Sequence, residues 1–311
     1  MVKRFLWILL TLAVLFFAVI YLLIPSKITI TRFIMVRVAE NHAADVLTTA
    51  NGWNSWWPGG KDTLAGAYAY KATLYSAAKF SNSGVQLTVI NNDVSSTAKV
   101  TYLAEDKETT KITWIADQLS SSNPFIRLKQ YMSISAKEKN TDELLQHLKQ
   151  FLEDDKNVYH LAVKLSRVKD SIVLTNNLAL KQLPDMQQVY QLIDGLKQLI
   201  AKQGAIEIAP PMLNIHQAAQ NEFDVMVGIP INKEIKTSGT VAIHKLVLGN
   251  ILEAEVKGGP NTVNASINKL EAYKKDHNLV SPAMPYQSLI TNRMAEKDTS
   301  KWVTRLYCPI F

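Results

Sequence analysis

The chain has 311 residues, 47% hydrophobic and 20% charged, with 34 basic against 27 acidic side chains for a net charge of +7. That length predicts two folded units with proper cores, and the composition excludes wholesale disorder, a collagen-like fibre and a disulfide-stapled miniprotein. The single cysteine, Cys308, rules out an internal disulfide and a cysteine-based zinc site, and the mild positive charge is spread out rather than clustered.

The first element is Phe5 to Ile24, FLWILLTLAVLFFAVIYLLI, which holds no charge, glycine or proline. At about 1.5 Å per residue a helix over it spans roughly 30 Å, the thickness of a bilayer's hydrocarbon core. Lipid offers backbone amides no partner, so the segment must be helical there. A buried core helix and a cleaved signal peptide are the alternatives. A secretory apolar region runs about 7–15 residues before a small-residue cleavage site. Here Tyr21, Leu22, Leu23 and Ile24 fill that place and Pro25 with Ser26 ends the helix. Residues 1–26 therefore read as an uncleaved single-pass anchor, with residues 5–24 in the lipid bilayer. Lys3 and Arg4 precede the span, and Lys27, Arg32 and Arg37 follow it. Local charge does not settle the orientation, and the short cationic tail favours a cytoplasmic N-terminus with the bulk of the chain outside the cytoplasm.

Ile28 to Val38 is β-branched and mostly alternating, a strand signal, and Ala39 to Ala50 reads as a short helix. NGWNSWWPGG, Asn51 to Gly60, then reads as a breaking turn. Gly66 to Phe80 is expected to be a strand with Tyr68, Tyr70 and Leu74 on one face. Alternating Val85, Leu87 and Val89, then Thr97 to Leu103 and Thr110 to Ala116, are further strands, the last with Ile112, Trp114 and Ala116 on one side. Asn82-Ser83-Gly84, Asn91-Asn92-Asp93 and Glu105-Asp106-Lys107 are the hairpin signals between them. Asn123-Pro124 ends the sheet. Thr141 to Leu152 is helical, with Leu144, Leu145, Leu148, Phe151 and Leu152 on one stripe and Asp142 and Glu143 in its first turn. An antiparallel sheet followed by a long helix buries one face by wrapping around that helix, which leaves a cleft. The polar segment Glu153 to Asn157 marks the next boundary.

From Val158 longer helices alternate with strand pairs. Asp185 to Gln203 carries the stripe Met186, Val189, Tyr190, Ile193, Leu196 and Ile200, opened by Pro184 and closed by Gly204. Strands follow at Ile206 to Ile215 and Phe223 to Ile231. The order recurs with a strand near Val241 to Val256, a helix at Thr262 to Lys275, and strands at Tyr286 to Asn292 and Trp302 to Ile310. FDVMVGIPI and WVTRLYCPI close the two repeats. Two βαββ units in tandem suggest a pseudo-two-fold domain, (βαββ)2, with a groove between the repeats.

The six histidines show no metal-ligand spacing, and HExxH, GxSxG and P-loop motifs are absent. No cofactor and no metal is expected. Gly258-Gly259-Pro260 before a helix could seat an anion, with a plain turn as the simpler reading. His147 reads as solvated, whereas His216 and His244 lie in strands bordering the second groove. Trp53, Trp56 and Trp57 fall within five residues, too close for all to be buried in one small core. They are expected to line a cleft, pack ordinarily or rest on a membrane interface. No helix-turn-helix and no basic stripe with interleaved aromatics is present, so nucleic acid is not an expected partner.

Two resemblances cover nearly all of the soluble part. Residues 27–156 resemble a helix-grip domain of the START-like, polyketide-cyclase/SRPBCC type, through their strand order and Trp53, Trp56, Trp57 and Pro58, where such proteins often carry W-x-x-W-x-P. Residues 157–311 resemble the GyrI-like effector-binding domain of bacterial multidrug-responsive activators, through Gly259-Pro260 and the closing run Asp298 to Thr304 with Tyr307 and Pro309. Together they imply a bacterial membrane protein of α+β class, an anchor followed by a helix-grip unit and a GyrI-like unit. Where the latter family carries a buried carboxylate that attracts cations, this chain has Gln287 or Ser288, which exert no such Coulomb pull. Asn261 stands in place of the family's tyrosine after Gly-Pro, and His216 takes the place of the aromatic that closes the first repeat's middle strand.

The expected function is non-catalytic binding of small apolar or amphipathic molecules. Trp53, Trp56, Tyr70 and Trp114 would line the first cavity. His216, Met226, Tyr286, Gln287, Trp302 and Tyr307 would line the second, with Gln287 orienting the guest by hydrogen bonds. The alternatives are a cyclase or hydrolase using an inward-pointing Asp45, Asp62 or Asp117, and a signalling or interaction subunit.

Overall fold

The computed structural model describes residues 2–59, 61–62, 66–91, 94–168, 172–246, 248–281 and 283–310, the side chains of residues 2–3, 61–62, 78 and 94 excepted. The hairpin residues Asn92 and Asp93 and the Asp62 side chain fall outside that description. The chain is α+β and divides into two compact units, Met1–Asp154 and Asp155–Phe311.

The first unit opens with α1 (Val2–Leu23), a helix long and apolar enough to cross a membrane and exposed along most of its length. β1 (Lys27–Val36) leads into two short helices, α2 (Glu40–Leu47) and α3 (Ala50–Trp56). β2 (Lys61–Asp62), β3 (Ala67–Tyr70), β4 (Thr73–Ser81), β5 (Gly84–Asn91), β6 (Val94–Ala104) and β7 (Thr110–Leu119) follow. They form a seven-stranded antiparallel sheet in the order β1-β7-β6-β5-β4-β3-β2. α4 (Pro124–Met132) and α5 (Ile134–Leu152) complete the unit.

The structure departs from the local sequence pattern at three places in this unit. The segment expected to be a turn at Asn51 forms α3, because Thr49 caps it by accepting from Gly52 N at 3.0 Å. Gly52 is required there, since a Cβ would lie 2.3 Å from the Val46 carbonyl oxygen. The single strand expected over Gly66 to Phe80 is a hairpin turning at Lys71 (φ 50°) and Ala72, with Tyr68 opposite Tyr75. Leu74 therefore leaves the Tyr68 face and pairs with Ala69 on the other. Finally, α5 starts at Ile134, so Asp142 and Glu143 lie in its middle. They are held by ion pairs instead: Asp142 with Arg32, and Glu143 with Lys71, which donates at 2.5 Å.

The second unit begins with α6 (Asp155–Tyr159), β8 (Val163–Arg167), β9 (Ile172–Leu180) and α7 (Met186–Lys202). Asp185 caps α7 in a reciprocal box with Gln188. Next are β10 (Met212–Ala219), β11 (Glu222–Ile231), β12 (Val241–Lys245), β13 (Asn250–Lys257), α8 (Pro260–Asp276), β14 (Tyr286–Leu289), a 3-10 turn at Thr299–Lys301 and β15 (Val303–Ile310). The antiparallel sheet runs β12-β9-β11-β10-β14-β15-β13-β8. The run expected as one strand near Val241 to Val256 is two, β12 and β13, which lie on opposite halves of that sheet. α7 covers one half through Val189, Ile193, Leu196 and Ile200, packed on Leu174, Leu213, Val225, Val227 and Ile229. α8 belongs to a second cluster with Leu252, Ala254, Val256, Leu306 and Cys308.

Candidate functional site

In the first unit the three tryptophans are all buried, at 0, 5 and 4% exposure for Trp53, Trp56 and Trp57. The expectation that they could not share one core is thus overturned. Their i, i+3, i+4 spacing on and just beyond α3 puts them on one side, where the rings pack on each other and on Tyr68, Tyr75 and Trp114. Trp53 lies 5.0 Å from Trp56, 5.8 Å from Trp57 and 6.3 Å from Trp114 between centroids. Trp53 Nε1 donates to the Leu47 carbonyl at 2.9 Å and Trp57 Nε1 to that of Ala69 at 3.0 Å, which meets the polar need of a buried indole. The cluster plugs one part of the space between sheet and helices.

Beside the plug lies a cavity of about 420 Å³, within the usual range of small-ligand sites, about 300–1,000 Å³. Ile28 and Ile30 of β1, Tyr75 of β4, Val89 of β5, Trp114 and Ala116 of β7, and Ile126 of α4 form its apolar wall. Gln118, Lys129, Gln130, Lys137, Asn140 and Thr141 bring polar groups to it. Of the four residues expected to line this cavity, Trp114 does so; Trp53 and Trp56 stand behind it in the aromatic plug. Tyr70 is half-buried near the chain surface, donating to Glu143 Oε2 at 2.8 Å beside Lys71.

Burial pushes the Tyr75 phenol up to about 12, so this wall is uncharged at neutral pH. Asp117 touches the cavity, but its carboxylate accepts from Thr29 at 2.6 Å and faces Lys27 at 3.0 Å. These partners hold it below the ordinary carboxylate range, the wrong direction for a general acid. Asp45 is exposed on α2 and lies outside the cavity lining. Among the described residues, no group of three or more His, Cys, Asp or Glu side chains could hold a metal.

Gln118, Ile126 and Lys137 were not singled out from the sequence. Gln118 continues the period-two face of Ile112, Trp114 and Ala116, so extending that strand by two residues would have found it. Lys137 had no such signal, since its helix was expected to begin four residues later.

In the second unit a pocket of about 90 Å³ lies between α8 and the sheet. Tyr286, Gln287 and Tyr307 line it, along with Asn214, Ile267, Leu270 and Leu306. Tyr286 stacks on Tyr307 at 5.1 Å, and burial raises its phenol pKa. The other three expected residues are elsewhere. His216 is exposed on β10, and half-buried Met226 sits on β11 opposite the lining residue Asn214 without lining the pocket itself. Trp302 is buried against Arg293, whose guanidinium lies 5.1 Å over its ring, and donates to the Glu296 carbonyl at 2.8 Å. Arg293 also donates to Thr304 Oγ1 at 2.7 Å and reaches Gln287 Oε1 at 3.5 Å, so the Gln287 carbonyl already has a partner. An open depression of about 470 Å³ runs along α7, bordered by Tyr190, Pro210 and the ion pair of Lys197 with Glu207 at 3.4 Å.

No protein-family model and no curated protein matches the sequence. Among solved structures, the EcmrR C-terminal domain is 18% identical and aligns over 49% of this chain and 98% of its own, with a TM-score of 0.42. SAV2435 bound to tetraphenylphosphonium is 13% identical over 48% of this chain and 94% of its own, with a TM-score of 0.33. A hydrolase from Listeria innocua is 9% identical over 48% and 91%, with a TM-score of 0.38. At these scores the likeness assigns neither a ligand nor a reaction.

Proposed function

We propose that this is a membrane-anchored protein that binds small apolar or amphipathic molecules without transforming them. In this reading residues 1–26 form a single-pass anchor, 27–156 a helix-grip domain and 157–311 a GyrI-like domain whose halves are related by a pseudo-two-fold axis. The observation that carries it is the cavity of about 420 Å³ walled by Ile28, Ile30, Tyr75, Val89 and Trp114. A pocket that joins an apolar wall to polar groups such as Gln118, Gln130 and Lys137 suits such guests. Asp117, the acidic residue among those lining it, turns its side chain to the other face of β7, where Lys27 and Thr29 engage it and keep it ionised, which favours holding a guest over protonating one.

The anchor reading draws support from the surroundings of α1. Its C-terminal end meets α4 through Phe17 and Phe125, 5.8 Å apart, through Tyr21 donating to the Ser122 carbonyl at 2.5 Å, and through Arg127 donating to the Ile24 carbonyl. Around this junction Leu119, Phe125, Tyr131 and Met132 are 75, 63, 49 and 74% exposed. Large apolar side chains clustered beside an exposed apolar helix are what a bilayer surface would cover. The second unit's order, with β10 and β14 paired at the sheet centre, supports the pseudo-two-fold reading.

A thermal-shift screen of the full chain in nanodiscs, against a panel of apolar and amphipathic compounds, tests the function. Stabilisation by at least one compound class is expected, as linkage requires of any ligand that binds the folded state. No stabilisation across the panel would sink the reading.

A further inference from the structure

Resting on that binding reading, we infer that the first unit's cavity takes a single-chain amphiphile with a carboxylate head. The Lys137 ammonium and the Gln118 amide meet the head, and Ile28, Ile30, Val89 and Trp114 meet the chain.

The inference starts from one buried donor that lacks an acceptor and one cation that lacks a counter-charge. Lys137 Nζ donates to Gln118 Oε1, which fixes the amide with its oxygen toward the lysine and its NH2 turned away. That Nε2 is buried and has no acceptor among the described residues, although Gln118 is only 8% exposed. Lys137 has no carboxylate within ion-pair distance among the described residues, and Asp117, next to Gln118 in sequence, pairs with Lys27 and Thr29 on the other face of β7. Burial lowers the pKa of Lys137, in keeping with a cation short of a counter-charge.

An unmet buried donor is costly, and a charged one more so. A carboxylate brings two acceptor oxygens and the missing charge, so one group satisfies both side chains. A cationic head would meet Lys137 and Lys129 with like charge, and an alcohol lacks the charge and the second oxygen. The volume of about 420 Å³ suits a single chain rather than a two-chain phospholipid. The guest has two possible sources, water and the bilayer. Ile126 lines the cavity and is 46% exposed beside the apolar surface of α4, which opens a path from lipid.

The test uses the full chain in phosphatidylcholine nanodiscs, with protein-free nanodiscs subtracted. Labelled decanoate and decanol are supplied from water in one arm, and oleate and oleyl alcohol preloaded in the lipid form the other. Retention of acid over alcohol by about tenfold or more, worth about 1.4 kcal/mol, is expected in at least one arm, and that arm identifies the source. Lys137→Met and Gln118→Leu should each reduce the ratio of acid to alcohol retention to about threefold or less, and Lys137→Arg should keep most of it. Equal retention of acid and alcohol by the unaltered protein, or an unchanged preference in folded Lys137→Met, overturns the head-group assignment and leaves the binding reading standing. Retention of neither class in either arm overturns both.

Discussion

The two units solve the same packing problem differently. Each lays helices on an antiparallel sheet, yet the first leaves about 420 Å³ under α4 and α5 and the second about 90 Å³ under α8. The helices account for the difference. α7 carries an apolar stripe over its whole length, with Val189, Ile193, Leu196 and Ile200 all at 2% exposure or less. α5 is apolar only in its second half, through Leu144, Leu145, Leu148 and Leu152. Its first half, around Ala136, Lys137, Asn140 and Thr141, offers small or polar groups that do not fill the space over the sheet. A helix that changes character midway makes a core at one end and a hollow at the other.

The strongest way to break this comparison is to empty the solid parts. Trp53→Ala removes the centre of the aromatic plug and is expected to cost the first unit about 3–5 kcal/mol, and Ile193→Ala should cost the second about 2–5 kcal/mol. Urea unfolding of the full chain should show each change moving one transition and sparing the other. A single joint transition moved by both would show the units to be energetically coupled. Overfilling gives a smaller, opposite contrast. Val227→Phe in the close-packed second core should cost about 1–3 kcal/mol, whereas Ala116→Leu projects into the cavity and should cost less than about 1 kcal/mol. The latter should also weaken decanol retention; unchanged retention would mean the guest lies elsewhere.

Two finer measurements sharpen the contrast. Asp185→Ala removes the box that starts α7 and should cost the second unit about 1 kcal/mol by urea unfolding, with ligand retention in the first unit unchanged. The smallest effect is acid dependence. Asp117 is held below the ordinary carboxylate value of about 3.9, so its contribution is complete above that value and fades as pH falls through its lower folded-state value. Melting of Asp117→Asn between about pH 5 and pH 2 should therefore show a shallower loss of first-unit stability than the unaltered chain. Equal slopes would mean that Lys27 and Thr29 contribute nothing measurable, as is common for partly exposed pairs.

Much of the fold was legible where a single period governs a long segment. α7 has a clean 3.6-residue stripe, a proline and an acid at its start and a glycine after its end, and it forms where these signals put it. β7 alternates from Thr110 to Trp114 and forms where that pattern begins. The Lys71 hairpin was not legible, because a lysine in left-handed conformation carries none of the usual turn chemistry. The first turns of α5 were missed because Ser135, Lys137, Lys139 and Asn140 break the apolar stripe, the same property that makes the hollow. The candidate site was legible in part. Trp114, Tyr286, Gln287 and Tyr307 stand at pocket walls, while Trp53, Trp56 and Trp302 are aromatic residues whose partners turned out to be other rings or an arginine.

The amino-acid order by itself determined the membrane-length apolar helix, the α+β class and the elements whose caps and periods agree, since these are properties of neighbours along the chain. Tertiary structure decided which aromatic rings close on one another, where Lys137 meets Gln118 and which strands each helix covers. Burial and hydrogen bonding join residues far apart in the chain, such as Lys27 with Asp117 or Arg32 with Asp142, and no local pattern encodes which distant partner a side chain will find.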